Sequence, residues 1–221
     1  MILGKMPTYY SQEGQDAFLE MNVFRGHRRG VFVDVGAYDG VSLNNTLFFE
    51  KERNWTGLNI EPHPDFFKEL AAARPNCTNL NVAIDATEGM TDFLHIDGPT
   101  SVLSGIVANY DPRHMARVER ENAELNTHRK VIQVPTRRLD TIFREHGIKR
   151  VHYLSIDVEG SEMKCIQTIN FDEVYIDVIG FENNFNDASV PIVEYLIQKG
   201  YRVLPVRCCD IFMIRNGSPF A

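Results

Sequence analysis

The chain has no apolar run approaching the ~20 residues that a membrane-spanning helix needs, although 43% of its 221 residues are hydrophobic. The opening MILGKMPTYYSQ also holds no long apolar segment, so no signal peptide is expected. Cysteine is scarce. Cys77, Cys165, Cys208 and Cys209 show no metal-type spacing, and the adjacent Cys208 and Cys209 are poor partners for each other. All four are expected reduced, which points to a reducing compartment, most simply the cytoplasm. Positive charge is short as well. A formal net charge of −7 removes the electrostatic reason to track a phosphate backbone, so nucleic acid is not an expected partner, and nothing calls for a membrane. There is no internal repeat, low-complexity tract or Pro/Ser-rich linker. A chain of this length and composition suits one α/β domain, residues 1–221, with a full core.

What is present alternates. Apolar runs bounded by turn residues predict strands over 31–35, 56–60, 80–83, 151–156 and 174–180. Helical spacing predicts helices over 43–50, 64–73, 139–146, 162–169 and 190–199. Segments 91–96 and 131–135 read as further extended pieces, and 201–206 with 211–215 as an antiparallel hairpin at the carboxyl end. Strand–helix alternation implies a doubly wound parallel sheet covered on both faces. Residues 97–130 are irregular. Asp111-Pro112 starts a helix with Met115, Val118, Asn122 and Leu125 on one face. That stripe is narrow and the rest is heavily charged, which reads as a solvated surface helix. The alternative is a lid or acceptor-pocket insertion, because long insertions on a compact domain are often functional.

The densest signal is Val31-Phe-Val-Asp-Val-Gly-Ala-Tyr-Asp-Gly40. An apolar strand breaks at Gly36 and Gly40, where glycine permits a sharp turn and close approach of a ligand to the backbone. A nucleotide-like cofactor is expected at the carboxyl end of this strand. The pattern is Asp-x-Gly-x-x-x-Gly, not the Gly-x-Gly-x-x-Gly of a dinucleotide site, which disfavours a nucleotide-dependent oxidoreductase.

Several motifs occur in order. Ser11 to Asp16 precedes the first strand by about one helix. VDVGAYDG is followed by Ser42 to Leu47, then by Gly57-Leu58-Asn59-Ile60-Glu61-Pro62 and Asn81-Val82-Ala83-Ile84. Val134-Pro135-Thr136 with Leu139-Asp140 comes next, and Leu154-Ser-Ile-Asp157-Val-Glu159-Gly-Ser-Glu162 closes the set. The set resembles the FkbM-family methyltransferases from about Ser11 to Arg215. The resemblance implies a single-domain, Rossmann-like, seven-stranded class I methyltransferase sheet with a C-terminal antiparallel hairpin. It implies S-adenosylmethionine (SAM) as cofactor and O-methylation of a sugar, glycan or related small-molecule hydroxyl. Many members carry His where this chain has Ser161.

On that resemblance, Gln12 lies in a cofactor-covering segment, 1–30, together with Gln15 and Asp16; an ordinary surface helix is the alternative. Gly36, Ala37 and Gly40 offer backbone and closeness. Asp34 and Asp39 either order the loop or meet the cofactor. Asn44 is expected to cap the next helix, and Asn45 to reach the cofactor. Glu61, with Pro62 behind it, ends a strand where a carboxylate can accept both ribose hydroxyl protons. Ala83 lies against adenine. Asp157, Glu159 and Glu162 follow a parallel strand and are the candidate catalytic acids, although Glu162 also reads as a first-turn helix acid. Asp157, Glu182 and Asn183 could converge as ligands of a hard cation such as Mg2+. Of the histidines, His63 is expected to begin a helix near adenine and His152 to sit satisfied in the core. His114 or His128 could act as base only if 97–130 folds over the site. A catalytically degenerate interaction module is the non-enzymatic alternative.

Overall fold

A computed structural model of the chain describes residues 7–183, 186–205 and 210–221. Eleven strands among the described residues form two sheets. The larger contains β1 (Val31–Val35), β2 (Thr56–Ile60), β3 (Thr78–Leu80), β8 (Arg150–Ile156), β9 (Tyr175–Glu182), β10 (Tyr201–Val203) and β11 (Asp210–Arg215), in the order β10-β11-β9-β8-β1-β2-β3. The five strands from β9 to β3 pair in parallel, and β11 pairs antiparallel with both β9 and β10. This is the seven-stranded sheet with a terminal hairpin that the sequence suggests. Val206, Cys208 and Cys209 lie outside the described residues, and Cys77 and Cys165 are free thiols.

Alternation along β1 explains the layers. Phe32 enters an aromatic cluster with Phe24, Phe48, Phe49, Trp55, Tyr153 and Phe212 on one face. Val33 and Val35 enter the aliphatic cluster of the other face, against α5 (Leu139–Glu145), α6 (Glu162–Gln167) and α7 (Asn186–Gln198). The aromatic face is covered by α1 (Gln15–Leu19), the single π-helical turn Glu20–Phe24 that follows it, and α2 (Leu47–Arg53).

Three sequence expectations change. Helix α2 starts at Leu47, not at 43. Leu43 has φ +54°, and Asn44 Oδ1 accepts from the Thr46 and Leu47 N–H groups at 3.0 and 2.8 Å, so an Asx cap ends the loop just before Leu47. The extended piece at 80–83 is two strands: Thr78–Leu80 pairs with β2, whereas β4 (Ala83–Ile84) leaves for a second sheet. That sheet, ordered β4-β7-β5-β6, adds β5 (Gly89–Ile96), β6 (Gly105–Ile106) and β7 (Arg129–Arg137). Segments 91–96 and 131–135 are thus the centre of a second layer, paired antiparallel over their whole length.

The irregular segment is more ordered than its composition suggests. Helix α3 (Pro64–Ala73) matches expectation, and α4 (Pro112–Leu125) begins where Asp111 Oδ1 accepts from the Arg113 N–H at 2.8 Å. The buried face of α4 carries His114, Val118 and Asn122, spaced four apart, while Leu125 is exposed. Val118 packs with Leu94, Ile96 and Leu103. What forms is a surface helix that is largely exposed, as its charges suggest, with one packed face. Among the described residues no helix is long and apolar enough to cross a membrane.

Candidate active site

Four strand ends meet on one side of the larger sheet. Val35 is in register with Ile60 on one side and Ile156 on the other, and Ile156 with Phe181. The next residues along these strands, Gly36, Glu61, Asp157 and Glu182, form a row across neighbours about 4.8 Å apart. The row opens into a cleft of about 340 Å³. Its position, between β1 and β8, is where chain order reverses across the sheet, the place at which open α/β sheets bind ligands.

The loop after β1 is held by its own polar groups. Buried Asp34 accepts from Asn44 Nδ2 at 3.0 Å and from the Thr46 hydroxyl at 2.8 Å, and burial raises its pKa. Its carboxylate thus orders the loop. Asp39 does the same further out, accepting from the Val41 and Ser42 N–H groups at 2.8 and 2.7 Å and from the Ser42 hydroxyl at 2.6 Å. It does not line the cleft, which corrects its expected cofactor contact. Gly40 is also absent from the lining: a Cβ there would meet Leu70 Cδ1 at 2.6 Å and Arg74 at 2.9 Å, so this glycine serves packing. Gly36, at φ +86°, lies against the neighbouring strand end, where a Cβ would fall 1.7 Å from the Asp157 carbonyl oxygen.

Glu61 is buried, with one carboxylate oxygen accepting from the Tyr38 N–H at 2.9 Å and the other from the His63 N–H at 2.7 Å. Burial outweighs these donors and pushes its pKa up to about 8. Each oxygen keeps a further lone pair for a ligand hydroxyl. Beside it, Tyr38 and Phe66 pack at 4.2 Å between ring centres, and Pro62, Ala83, Ile84 and Phe93 give the cleft an apolar wall. His63 caps α3 from the cleft side, stacked on Phe66 and His95 at 4.1 and 4.0 Å; burial lowers its pKa to about 4 and keeps it neutral. His152 accepts from the Val31 N–H at 2.9 Å, the satisfied core role expected of it.

From the amino-terminal side, Gln12 and Gln15 reach the lining, while Asp16 is fully buried and ties its own segment by accepting from the Tyr10 N–H at 2.7 Å and the Ser11 hydroxyl at 2.5 Å. Asn45 donates to Ser155 Oγ at 3.4 Å, and its buried Oδ1 has no partner.

The acids gather at the far end. Oxygens of Asp157, Glu159 and Glu182 lie within 4.8 Å of one another. Asp157 is exposed along the cleft it lines, yet enclosing protein and the charges of Asp210 and Glu162 raise its pKa to about 7. Burial and the neighbouring acids raise Glu159 well above the carboxylate range and Glu182 to about 11. Asp157 and Glu182 share a hydrogen bond that lowers the first and raises the second. Asn183 Oδ1 accepts from the Ser189 hydroxyl, and Glu159 joins Asp157 and Glu182 in the acid cluster. Glu162 does not line the cleft. It turns back to accept from the Val158 and Gly160 N–H groups at 3.3 and 3.1 Å, holding the loop that presents Glu159.

The sequence offers 97–130 as a lid or acceptor-pocket insertion without naming the residues of 101–117 that reach the cleft. Ser101 to Ile106 and Arg117 line the cleft, and His114 Nδ1 lies 3.2 Å from Glu159 Oε2. The available signal was the phase of α4, since a buried Val118 places His114 one turn earlier on the same face.

The sequence matches the family model described as the methyltransferase FkbM domain over residues 34–203. In structure the chain is similar to a methyltransferase FkbM from Methylobacillus flagellatus KT, with a TM-score of 0.51 and 12% identity over 86% of this chain and 44% of that one. The chain therefore spans less than half the length of that protein. It is also similar to fibrillarin from Aeropyrum pernix, solved with natively bound S-adenosyl-L-methionine, with a TM-score of 0.50 and 10% identity over 91% of this chain and 73% of that one. At such identities these likenesses show the fold, the class I methyltransferase sheet. A sequence comparison with curated proteins finds no match.

Proposed function

Because the chain belongs to the FkbM methyltransferase family, we propose that it transfers a methyl group from SAM to a hydroxyl of a sugar, glycan or related small metabolite. One observation carries the reading: a single cleft holds a buried carboxylate suited to a ribose at one end and a cluster of titrating acids at the other. The residues fit the cofactor the family implies. The cleft is within the ~300–1,000 Å³ of small-molecule sites. Glu61 has lone pairs to spare, and Asn45 Oδ1 is a buried acceptor still without a donor.

When bound, SAM supplies a methyl carbon activated by its sulfonium. The residues do the rest. Glu61 would accept from the two ribose hydroxyls, and the Tyr38–Phe66 pair with Ala83 would hold the adenine. Gln12, Gln15 and Asn45 enclose the amino-acid end, while the loop 101–106 and Arg117 act as the lid over the acceptor. An alcohol is a poor nucleophile at neutral pH. Asp157, with a pKa near 7, is positioned to take its proton as the oxygen–carbon bond forms and the carbon–sulfur bond breaks. The proton would leave the hydroxyl for the Asp157 carboxylate.

The cluster of Asp157, Glu159 and Glu182 also favours a second reading, in which Mg2+ sits among these oxygens and polarises the acceptor. The test of both is transfer of labelled methyl from SAM to a panel of sugars and polyols, with and without EDTA. Transfer in EDTA supports acid–base catalysis alone; Mg2+-dependent transfer supports the cation. Transfer to amines but not to hydroxyls contradicts the O-methyl reading.

A further inference from the structure

The amino ends of the strands, opposite the cleft, carry charge of the other sign. Arg25, Arg28 and Arg29 follow the π-helical turn and are exposed, as is Lys51 in the last turn of α2. The two segments lie together. The Arg29 N–H donates to the Arg53 carbonyl at 3.1 Å, and Arg28 Nη1 to the Glu52 carbonyl at 3.1 Å. Among the described residues no carboxylate pairs with any of these four cations. The ion pairs of this end are Arg53 with Glu20 and Arg150 with Asp177, and both of those acids are buried. Glu52 is half-buried beside the cluster, and the exposed Asp172 and Glu173 lie two strands away, ahead of β9.

The backbone is strained where it presents these cations. Arg25 has φ +46° and Arg29 φ +61°, left-handed positions that favour glycine or asparagine. Neither guanidinium makes a hydrogen bond or ion pair among the described residues. Strain with no internal contact to offset it points to a partner outside the chain. Met21, 63% exposed, stands one turn before Arg25 on the same side. The aromatic rings here are committed to one another: Phe24, His27, Trp55, His152 and Phe220 meet at 4.8 to 6.1 Å between centres. They leave no free platform on which a nucleic-acid base could stack.

We propose that this end of the molecule docks on an anionic phospholipid surface. Four cations match the smaller of the basic clusters that bind acidic bilayers, and Met21 adds an apolar side chain able to enter the acyl boundary. The net charge of −7 does not cancel the patch. The five residues of β1, at about 3.3 Å each, set it about 16 Å from the acids of the cleft, twice the ~8 Å screening length at physiological salt. Bound in this way, the strand ends that form the cleft face away from the bilayer, so the cleft stays open to water while the chain is held at the surface. Charge does the holding, which makes the attachment reversible and sensitive to salt. The docking is independent of the catalytic reading.

The experiment is co-sedimentation of the purified chain with vesicles of phosphatidylcholine alone and with vesicles carrying about 30% phosphatidylserine, in about 0.1 M and about 0.5 M salt. Binding is expected only to the phosphatidylserine vesicles at the lower salt. Arg25→Asn combined with Arg29→Asn removes two cations but suits the left-handed backbone. Its partition coefficient should fall about 25-fold, with Tm unchanged or higher. Arg25→Lys combined with Arg29→Lys keeps the charge and should bind within about threefold of the wild type. Equal binding to both kinds of vesicle, including none to either, overturns the proposal, as does binding that survives the higher salt or is unchanged in the asparagine variant. Tighter binding to a single-stranded RNA than to the phosphatidylserine vesicles, at equal concentration of phosphate, overturns it too and gives the surface to nucleic acid.

Discussion

Replacing Glu61 by Gln is the sharpest perturbation of the cofactor end. The carboxylate accepts from two backbone N–H groups, one on each oxygen. A glutamine keeps one of these bonds and turns an NH2 toward the other donor. It also loses the charge that strengthens acceptance from the ribose. Charge-assisted hydrogen bonds contribute about 1.5–3 kcal/mol each, so a loss of roughly 2–3 kcal/mol in binding, about 30- to 150-fold in dissociation constant, is expected. A pH signature accompanies it. Glu61 titrates near 8 in the open site, whereas two hydroxyl donors stabilise its ionised form in the complex. Affinity must then rise with pH, up to about tenfold per unit below pH 8, and flatten above it. Calorimetry with S-adenosylhomocysteine from pH 6 to 9, expressed as the ratio of wild-type to variant affinity, cancels titration of the ligand itself. The ratio should climb with pH. A ratio that stays constant, or a loss under threefold throughout, would refute the ribose role.

Asp157→Asn removes the group placed to take the acceptor proton and should lower turnover by about 10²–10⁴-fold, with cofactor affinity kept within threefold; retained turnover moves the base elsewhere. Glu182→Gln should stabilise the unliganded protein. The fold raises this acid from 4.5 to about 11, so its contribution is full below pH 4.5 and falls as pH rises toward 11, because only the unfolded chain then releases the proton. The shift sets an upper bound of about 5 kcal/mol on that penalty at pH 8, so the variant's Tm should rise by at least some 2–4 °C at pH 8 and by less at pH 5; an unchanged or lower Tm at pH 8 contradicts the assignment. Gly36→Ala meets both a positive φ and the Asp157 carbonyl oxygen, and should destabilise by about 3 kcal/mol or more, which thermal melts would register as a fall of at least 6 °C or as failure to fold.

The sheet was legible because its strands are short apolar runs closed by turn chemistry: Asp34-Val-Gly36 after β1, Glu61-Pro62 after β2, and Asp157 after β8 each mark a strand end. Parallel register then carries these ends to one place without any further signal. What the sequence hid depends on tertiary partners. Asp39 and Glu162 look like site acids by type, but backbone N–H groups within three or four residues engage them first. Asn183 follows Glu182 just past the end of β9, and its amide oxygen accepts from the Ser189 hydroxyl. The second sheet was obscure because β5 and β7 are paired across a gap of more than 30 residues, and Gly89, Met90 and Val131 are exposed, so their periodicity is weak. Helix α4 carries so many charges that its contact face, His114 and Val118, was outweighed.

The central claim is that the cleft at the ends of β1, β2, β8 and β9 binds SAM and its demethylated product. The direct measurement is calorimetric titration of the purified chain with SAM and with S-adenosylhomocysteine, in EDTA and again with Mg2+. One site of micromolar affinity for each ligand is expected, weakened at least 30-fold by Glu61→Gln. Absence of binding to the folded chain under both conditions would contradict the account.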